Sequence, residues 1–152
     1  MSAATQWACK KCGTTNVALK YTGKEPLCKD CKRFENLKIN STRKRKRAKN
    51  SALCFTRDEF LEWSKKRLRK CAYCGIRDTD LAAVGLKTQI GRDLNAVGVD
   101  RLDSSKDYTI DNICLCCFAC NKAKGNVFSD GEMRVIGKAV ADVWQKRLKA
   151  TP

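Results

Sequence analysis

The sequence predicts a small α+β protein that is stabilised by two four-cysteine zinc sites. The chain has 152 residues, enough for one ordinary domain or for two small lobes stapled by metal. Eight of its 11 cysteines form four Cys-x-x-Cys pairs, and it contains no histidine. In its second half, two short strand patterns precede helical ones, which indicates both element types in one body.

The four cysteine pairs predict two closed metal sites. Because Met1 to Gln6 is short and polar, we expect no signal peptide. A disulfide framework would need an oxidising compartment, and closely spaced Cys-x-x-Cys sulfurs favour metal binding over disulfides. Each pair needs two more ligands for a tetrahedral zinc site. Sequential pairing is favoured, although spacing alone leaves other partnerships open. The two sites would then be Cys9, Cys12, Cys28 and Cys31, and Cys71, Cys74, Cys117 and Cys120.

Three cysteines remain outside these pairs. We expect Cys54, Cys114 and Cys116 to be small buried hydrophobic side chains. Closed four-cysteine sites keep no open coordination position, so both zinc ions are predicted to be structural. Any catalytic group must therefore lie elsewhere in the chain.

Positive charge dominates the composition. The 32 Lys and Arg residues outnumber the 16 Asp and Glu residues, which gives a formal net charge of +16. Two four-thiolate zinc sites would reduce this only to roughly +12. Such a chain repels itself unless it binds an anionic partner, so nucleic acid is the leading candidate. A membrane is the weaker candidate, because we find no apolar run of about 18 residues and no obvious lipidation signal.

The sequence divides into three predicted regions. Residues 1–40 are expected to form an N-terminal zinc ribbon, with a short helix around Phe34 and Leu37 after the second cysteine pair. Residues 41–54 are a basic segment, either a solvated linker or import signal or, as we favour, an arm that contacts DNA. Residues 55–152 form the core domain. The basic side chains of the arm are Arg43, Lys44, Arg45, Lys46, Arg47 and Lys49.

Two helices of the core domain have sequence-level start signals. Thr56 and Glu59 predict a capping box for a helix that extends to about Lys70, with Trp63 in the core and Leu68 on the apolar face. Ser129 and Glu132 predict a second capping box. The helix that follows it is amphipathic, and it packs on the body or against a second subunit. Between these helices, residues 76–97 are either a DNA-reading loop or a plain connector.

A short window carries the candidate chemistry. Strands are expected at Gly98 to Asp103 and at Asn112 to Cys116, followed by a helix that begins near Phe118. Asp100 and Asn121 offer a carboxylate and an amide oxygen, which together suit a Mg²⁺ ion. The alternative for Asp100 is a salt bridge with Arg101. Asn112 is interpreted as an anchor that binds backbone across the loop. Arg101 and Lys124 would add positive charge around a phosphate.

These residues resemble the HNH, or ββα-metal, endonuclease motif. The resemblance rests on Val99-Asp100-Arg101, Asn112 and Cys117-x-x-Cys120-Asn121-x-x-Lys124, and it implies a ββα-metal nuclease core flanked by the two four-cysteine zinc sites. The family usually places histidine directly after the aspartate, where this chain has Arg101. In one branch of restriction enzymes with flanking four-cysteine sites, a tyrosine is thought to start cleavage, and Tyr108 matches it.

The resemblance to that branch implies a function and partners. It implies a homodimer with two structural zinc ions per chain that cuts a palindromic AT-rich duplex with a catalytic divalent ion, Mg²⁺. We expect a cytoplasmic protein of prokaryotic, phage or viral origin. The basic arm is longer here, and Cys114 and Cys116 are extra thiols that could serve as zinc ligands. The first hypothesis is a type II restriction endonuclease. The alternatives are a homing or nicking endonuclease and a catalytically inactive zinc-finger DNA-binding protein.

Overall fold

The computed structural model describes residues 6–45, 51–87 and 91–150, and the side chains of residues 44 and 45 lie outside it. Four α-helices and two β-strands make up the described chain. In order they are α1 (Lys29–Arg45), α2 (Arg57–Lys65), β1 (Gly98–Arg101), β2 (Ile113–Cys116), α3 (Phe118–Lys124) and α4 (Asp130–Ala150). Three single 3₁₀ turns at Val17–Leu19, Asp78–Asp80 and Ile110–Asn112 connect them. This confirms the small α+β class.

The two strands and α3 form the predicted ββα unit. Strands β1 and β2 pair antiparallel, with Asp100 opposite Cys114 and Arg101 opposite Ile113. All four residues of β2 are buried, so this strand lies inside the molecule. Cys117 caps α3, because its sulfur accepts a hydrogen bond from the backbone N–H of Cys120. The Cys117/Cys120 pair therefore lies at the corner between β2 and α3.

Helix α1 is longer than expected. It begins at Lys29, directly after Cys28, and continues to Arg45, into the stretch that we interpreted as the start of the basic segment. No glycine or proline interrupts residues 29–45, so nothing in the local sequence stops the helix. Phe34 and Leu37 on its inner face are buried.

Helix α2 has the predicted capping box but ends early. The hydroxyl of Thr56 accepts the N–H of Glu59, and the Glu59 carboxylate accepts the N–H of Thr56. The helix stops at Lys65 rather than near Lys70, because the chain turns there toward the second metal site. Leu68 is consequently 73% exposed, so its predicted place on the apolar face is wrong. Trp63 is buried, as predicted.

Aromatic rings join α1 to α2. The rings of Phe34, Phe55 and Phe60 all contact one another, and Trp63 contacts Phe60, with centroid separations between 5.5 and 6.3 Å. Phe60 is completely buried. Each such ring buries a large apolar area, so this cluster is a main source of stability for the contact between the two helices.

A buried ionic network also links the N-terminal lobe to the rest of the molecule. The Arg33 guanidinium donates hydrogen bonds to Asp30 at 2.6 Å, to both carboxylate oxygens of Asp78 at 2.8 and 2.6 Å, and to the Val97 carbonyl at 2.7 Å. Asp30 also accepts a hydrogen bond from Arg69 at 2.6 Å. Asp30 lies between Cys28 and Cys31, so this network ties the first metal site to the loop that precedes β1.

Helix α4 covers the second metal site. Its predicted capping box is confirmed by reciprocal hydrogen bonds between Ser129 and Glu132. Met133 and Trp144 are buried. Gly137 lies directly against the backbone of Tyr73, a residue of the Cys71–Cys74 turn. Within the described part of the chain, no helix is long and apolar enough to span a bilayer.

Candidate functional site

The eight paired cysteines assemble into the two predicted groups. Within each group of four, all sulfur atoms lie within 4.8 Å of one another. The Sγ atoms of Cys12 and Cys28 are 3.7 Å apart, and those of Cys74 and Cys117 are 3.6 Å apart. Tetrahedral zinc with Zn–S bonds of about 2.3 Å places its sulfurs about 3.8 Å apart. The spacing therefore fits zinc in both groups.

Both groups use the same backbone turn. Gly13 and Gly75 each follow a Cys-x-x-Cys pair and have φ angles of 74° and 72°. The N–H of Gly13 donates to the carbonyl of Cys9, and the N–H of Gly75 donates to the carbonyl of Cys71. A positive φ favours glycine, which explains the residue at this position in each turn.

Thiol hydrogen bonds lower the pKa of Cys28 in the first group and of Cys71 and Cys74 in the second. The Cys31 thiol lowers the pKa of Cys28 to about 5. The Cys116 thiol is the largest of several thiol donors that lower the pKa of Cys71. A sulfur that is readily deprotonated is the form that binds zinc, so each group has an anionic starting point for metal binding.

The three remaining cysteines do not all behave as expected. Cys114 and Cys116 are buried, as predicted, but Cys54 is exposed, so its prediction is wrong. The segment around Cys54 is extended, and alternate side chains point to opposite sides, so Phe55 faces the core while Cys54 faces solvent. Neither Cys114 nor Cys116 belongs to a four-sulfur group of described residues. Burial raises the pKa of Cys114 to about 12, which keeps its thiol neutral.

Asp100 lies at the centre of the ββα unit. Its side chain is nearly buried, and its Oδ2 atom is 3.2 Å from the Nζ atom of Lys124. Oδ2 accepts no hydrogen bond in the described part of the chain despite this ion pair. The partner of Asp100 in this structure is therefore Lys124 on α3.

Lys124 is not at the surface, where we expected it to face a phosphate. It is completely buried, and its ammonium donates to the Arg101 carbonyl at 2.8 Å and to the Ser104 hydroxyl at 3.0 Å. These contacts fasten α3 across the end of β1. Burial of its ammonium excludes direct contact with DNA in this conformation, and Lys124 instead forms an ion pair with Asp100. Sequence reasoning did not anticipate the contribution of Ser104, for which spacing gives no signal.

Arg101 and Tyr108 contact each other inside the loop between the strands. The guanidinium carbon of Arg101 is 5.0 Å from the centroid of the Tyr108 ring, and Arg101 donates a 2.8 Å hydrogen bond to the Lys106 carbonyl. Arg101 is buried, and Tyr108 is only 3% exposed. A cation over an aromatic face is attracted to the ring, and more strongly when both groups lack water.

The loop that carries Tyr108 is held at two places. The Asn112 amide accepts the N–H of Asp103 and donates to the carbonyls of Asp103 and Asp107. The backbone of Tyr108 exchanges hydrogen bonds with Ala52 and Cys54, at 2.8 and 2.9 Å. The C-terminal end of the predicted segment 41–54 is thus paired directly with Tyr108.

The remaining predicted site residues are only partly described. Asn121 is half-buried on α3, and Arg43 is exposed near the end of α1. The side chains of Lys44 and Arg45 lie outside the described residues, as do Lys46, Arg47 and Lys49. The segment between Ile76 and Val97 buries Leu81 and Val84, so part of it belongs to the core.

Comparisons with known proteins identify the family. A scan of protein-family models matches none, and a search of curated proteins finds no relative. Among solved structures, the chain is similar to the rare-cutting HNH restriction endonuclease PacI, whose structure was described for its mechanism of DNA perturbation. Sequence identity is 33% and the TM-score is 0.80, over 92% of this chain and 96% of that chain. The chain belongs to the HNH nuclease family of PacI.

The likeness to PacI extends well beyond the ββα unit. That unit occupies only residues 98–124, whereas the alignment covers nearly the whole chain. The family relation therefore includes the regions that carry the two cysteine groups and the C-terminal helix. The chain contains no histidine, and Arg101 directly follows Asp100.

Proposed function

We propose that this protein is a type II restriction endonuclease that makes sequence-specific double-strand breaks in DNA by metal-dependent phosphodiester hydrolysis. The observation that carries the proposal is its likeness to the restriction endonuclease PacI over 92% of the chain at 33% identity. The formal charge of +16 suits a polyanionic substrate. A palindromic site read by this chain calls for two-fold symmetry, so the functional unit is a homodimer.

Asp100 and Asn121 are the proposed ligands of the catalytic cation. The buried Oδ2 atom of Asp100 is ion-paired with Lys124 at 3.2 Å but accepts no hydrogen bond from the described residues, and a carboxylate oxygen in this state retains a lone pair for a ligand. Asn121 precedes Lys124, the partner of Asp100, by three residues on α3, so both side chains lie on neighbouring parts of one helix face. A divalent ion such as Mg²⁺ held there would polarise the scissile phosphate and stabilise the departing oxygen.

Tyr108 is proposed to take the place of the family's histidine. It either removes a proton from the attacking water or orients that water for attack. The Arg101 guanidinium over its ring is positioned to stabilise negative charge that develops on the phenol. Because Tyr108 is only 3% exposed, the proposal requires the loop between β1 and β2 to open when DNA binds.

The basic arm supplies the proposed phosphate contacts. The last basic residue of the arm lies three residues before Ala52. The basic residues are Arg43, Lys44, Arg45, Lys46, Arg47 and Lys49. Ala52 accepts a hydrogen bond from the backbone of Tyr108. Phosphates bound by the arm would therefore be close to the catalytic loop, and affinity should fall steeply with salt because the bound cations displace counterions.

Digestion of a large plasmid with Mg²⁺ tests this function. Wild-type protein should give discrete double-strand fragments, and Tyr108→Phe should keep its zinc content and DNA affinity but lose cutting by at least about 100-fold. Tyr73→Phe is the matched control, because it removes the hydroxyl of another buried tyrosine that has no proposed catalytic role. Full activity of Tyr108→Phe would remove tyrosine from the mechanism.

A second function is favoured by one observation. Lys124 already neutralises Asp100 in this structure, as expected of a DNA-binding protein that has lost metal-dependent cutting. The same digestion separates the possibilities. An unchanged plasmid would indicate binding alone, and a nicked circle would indicate a nicking endonuclease.

A further inference from the structure

One exposed flank of α1 carries side chains suited to reading bases. Lys32, Asn36, Asn40 and Arg43 recur at spacings of four, four and three residues, so they lie along one side of the helix. This set is called the amide flank below. The inner side of α1 is separate from it, because Arg33, Phe34 and Leu37 are buried there.

The two asparagines of the amide flank have unused hydrogen-bonding capacity. Both side chains are exposed, and their carboxamide groups form no hydrogen bond to any described residue. Asn112 and Asn16, by contrast, are engaged: Asn112 spans its loop, and Asn16 caps a 3₁₀ turn. A carboxamide offers a donor and an acceptor side by side, which is the pattern that pairs with adenine in the DNA major groove.

The amide flank faces Asn121, one of the two proposed cation ligands, across a groove. This groove has a volume of about 190 Å³, and Asn36 and Asn40 line one wall while Asn121 and Phe118 line the other. Lys32 also lines it, and Arg43 lies further along the same flank. A ligand that contacts the amides would thus lie close to Asn121.

We propose that the amide flank of α1 is a base-reading surface for duplex DNA, with Asn36 and Asn40 selecting adenine at positions near the cleaved bond. Charge complementarity selects this partner, because cations lie at both ends of the flank and the chain carries +16 overall. An α-helix fits the major groove, where each base pair presents a distinct pattern of donors and acceptors. Lys32 and Arg43 bind phosphates and so hold the helix in register.

This inference rests on the DNA-directed function proposed above, but it is tested without cleavage. The full-length zinc-loaded protein is incubated, in the absence of Mg²⁺, with a pool of duplexes that have a randomised centre, and the bound duplexes are sequenced. Wild-type protein should enrich a defined sequence that contains adenine. Asn36→Ala and Asn40→Ala should each lose selectivity at one position, by about 5- to 150-fold.

Two controls make the result specific. Lys38→Ala changes an exposed residue on the opposite side of α1, and it should leave the enriched sequence unchanged. Zinc content and binding to non-specific DNA should stay within about twofold of wild type for the asparagine variants, because both side chains are exposed and make no internal hydrogen bonds.

The outcomes separate this inference from the proposed nuclease activity. Enrichment of the same sequence by Asn36→Ala, Asn40→Ala and wild type would overturn it, even if the protein cuts DNA. Failure of wild type to enrich any sequence would overturn it as well. Loss of selectivity in these variants would support it even if the plasmid digestion shows no cleavage, in which case only the nuclease proposal fails.

Discussion

Substitution of Gly137 by alanine should weaken the contact between α4 and the second metal site. A Cβ atom at this position would lie 2.5 Å from the carbonyl oxygen of Tyr73 and 2.6 Å from its carbonyl carbon. Because 3.4 Å is the lower limit of ordinary contact, α4 or the Cys71–Cys74 turn must move by roughly 1 Å. The carbonyl oxygen and carbonyl carbon of Tyr73 are backbone atoms rather than the end of a flexible side chain, so the movement involves the backbone.

The size of this effect follows from two opposing terms. Overpacking of a well-packed interior costs about 1–3 kcal/mol. Replacement of glycine by alanine within a helix gains up to about 1 kcal/mol. We therefore expect Gly137→Ala to lower the free energy of unfolding by about 1–2 kcal/mol. Gly131→Ala in the same helix meets no atom within 4 Å, so it should raise stability by about 0.5 kcal/mol.

Urea unfolding at a fixed zinc concentration measures both variants, because free zinc shifts the equilibrium of any protein that binds it. The two midpoints should move in opposite directions. Zinc transfer to a chromogenic chelator should also be faster for Gly137→Ala, since Tyr73 lies between two of the ligands. Equal stabilisation by both substitutions would show that α4 does not press against the metal turn, and the reasoning would fail.

Two further predictions concern stability and metal content. Arg33→Met should lower the free energy of unfolding by about 3–5 kcal/mol, because it strands the buried carboxylates that Arg33 pairs at 2.6 Å. Lys65→Met breaks an equally short but solvent-exposed pair and should leave the free energy of unfolding nearly unchanged, because water screens exposed ion pairs. Similar losses of stability in chemical denaturation of the two variants would contradict this account. Cys12→Ser should reduce bound zinc from two ions to one per chain, whereas Cys54→Ser should leave it at two, as measured by metal analysis of the purified proteins.

The same network predicts how stability depends on pH. Burial alone would raise the pKa of Asp30, but Arg33, Ser64 and Arg69 lower it overall. A carboxyl with a lowered pKa stabilises the folded state above the unfolded pKa near 4, and this contribution is lost as pH falls through the lower folded value. Urea midpoints measured between about pH 3 and pH 6 should therefore fall toward acid in wild type, and this part of the slope should shrink in Arg33→Met.

Much of the architecture could be predicted because its signals are local. Cysteine spacing is such a signal: it predicted the four Cys-x-x-Cys pairs, and the favoured sequential pairing of these pairs matches the two four-sulfur groups. The capping boxes of Thr56 and Ser129 involve residues three apart, and the strands around Asp100 and Asn112 were placed to within a few residues. Element ends were less certain, since the end of α2 depends on where the following chain must go.

Less of the candidate site could be predicted from the sequence. Lys124 was identified as important, but its burial beneath Asp100 depends on the docking of α3 across β1. The exposure of Cys54 depends on which side of an extended segment meets the core. The amide flank of α1 could be recognised only after the helix was seen to extend past Asn40 and to face Asn121.

Sequence by itself determined the four Cys-x-x-Cys pairs, the strong positive charge and the HNH-like order of residues, because each can be read from composition or from residues close together along the chain. Only the tertiary structure joined the pairs into two groups. Only the tertiary structure decided the partners of Arg33, which are as far as 64 residues away, and the position of Gly137 against Tyr73. Such contacts depend on how helices and strands pack in three dimensions. Their free energy comes from burial and close approach, which no local pattern records.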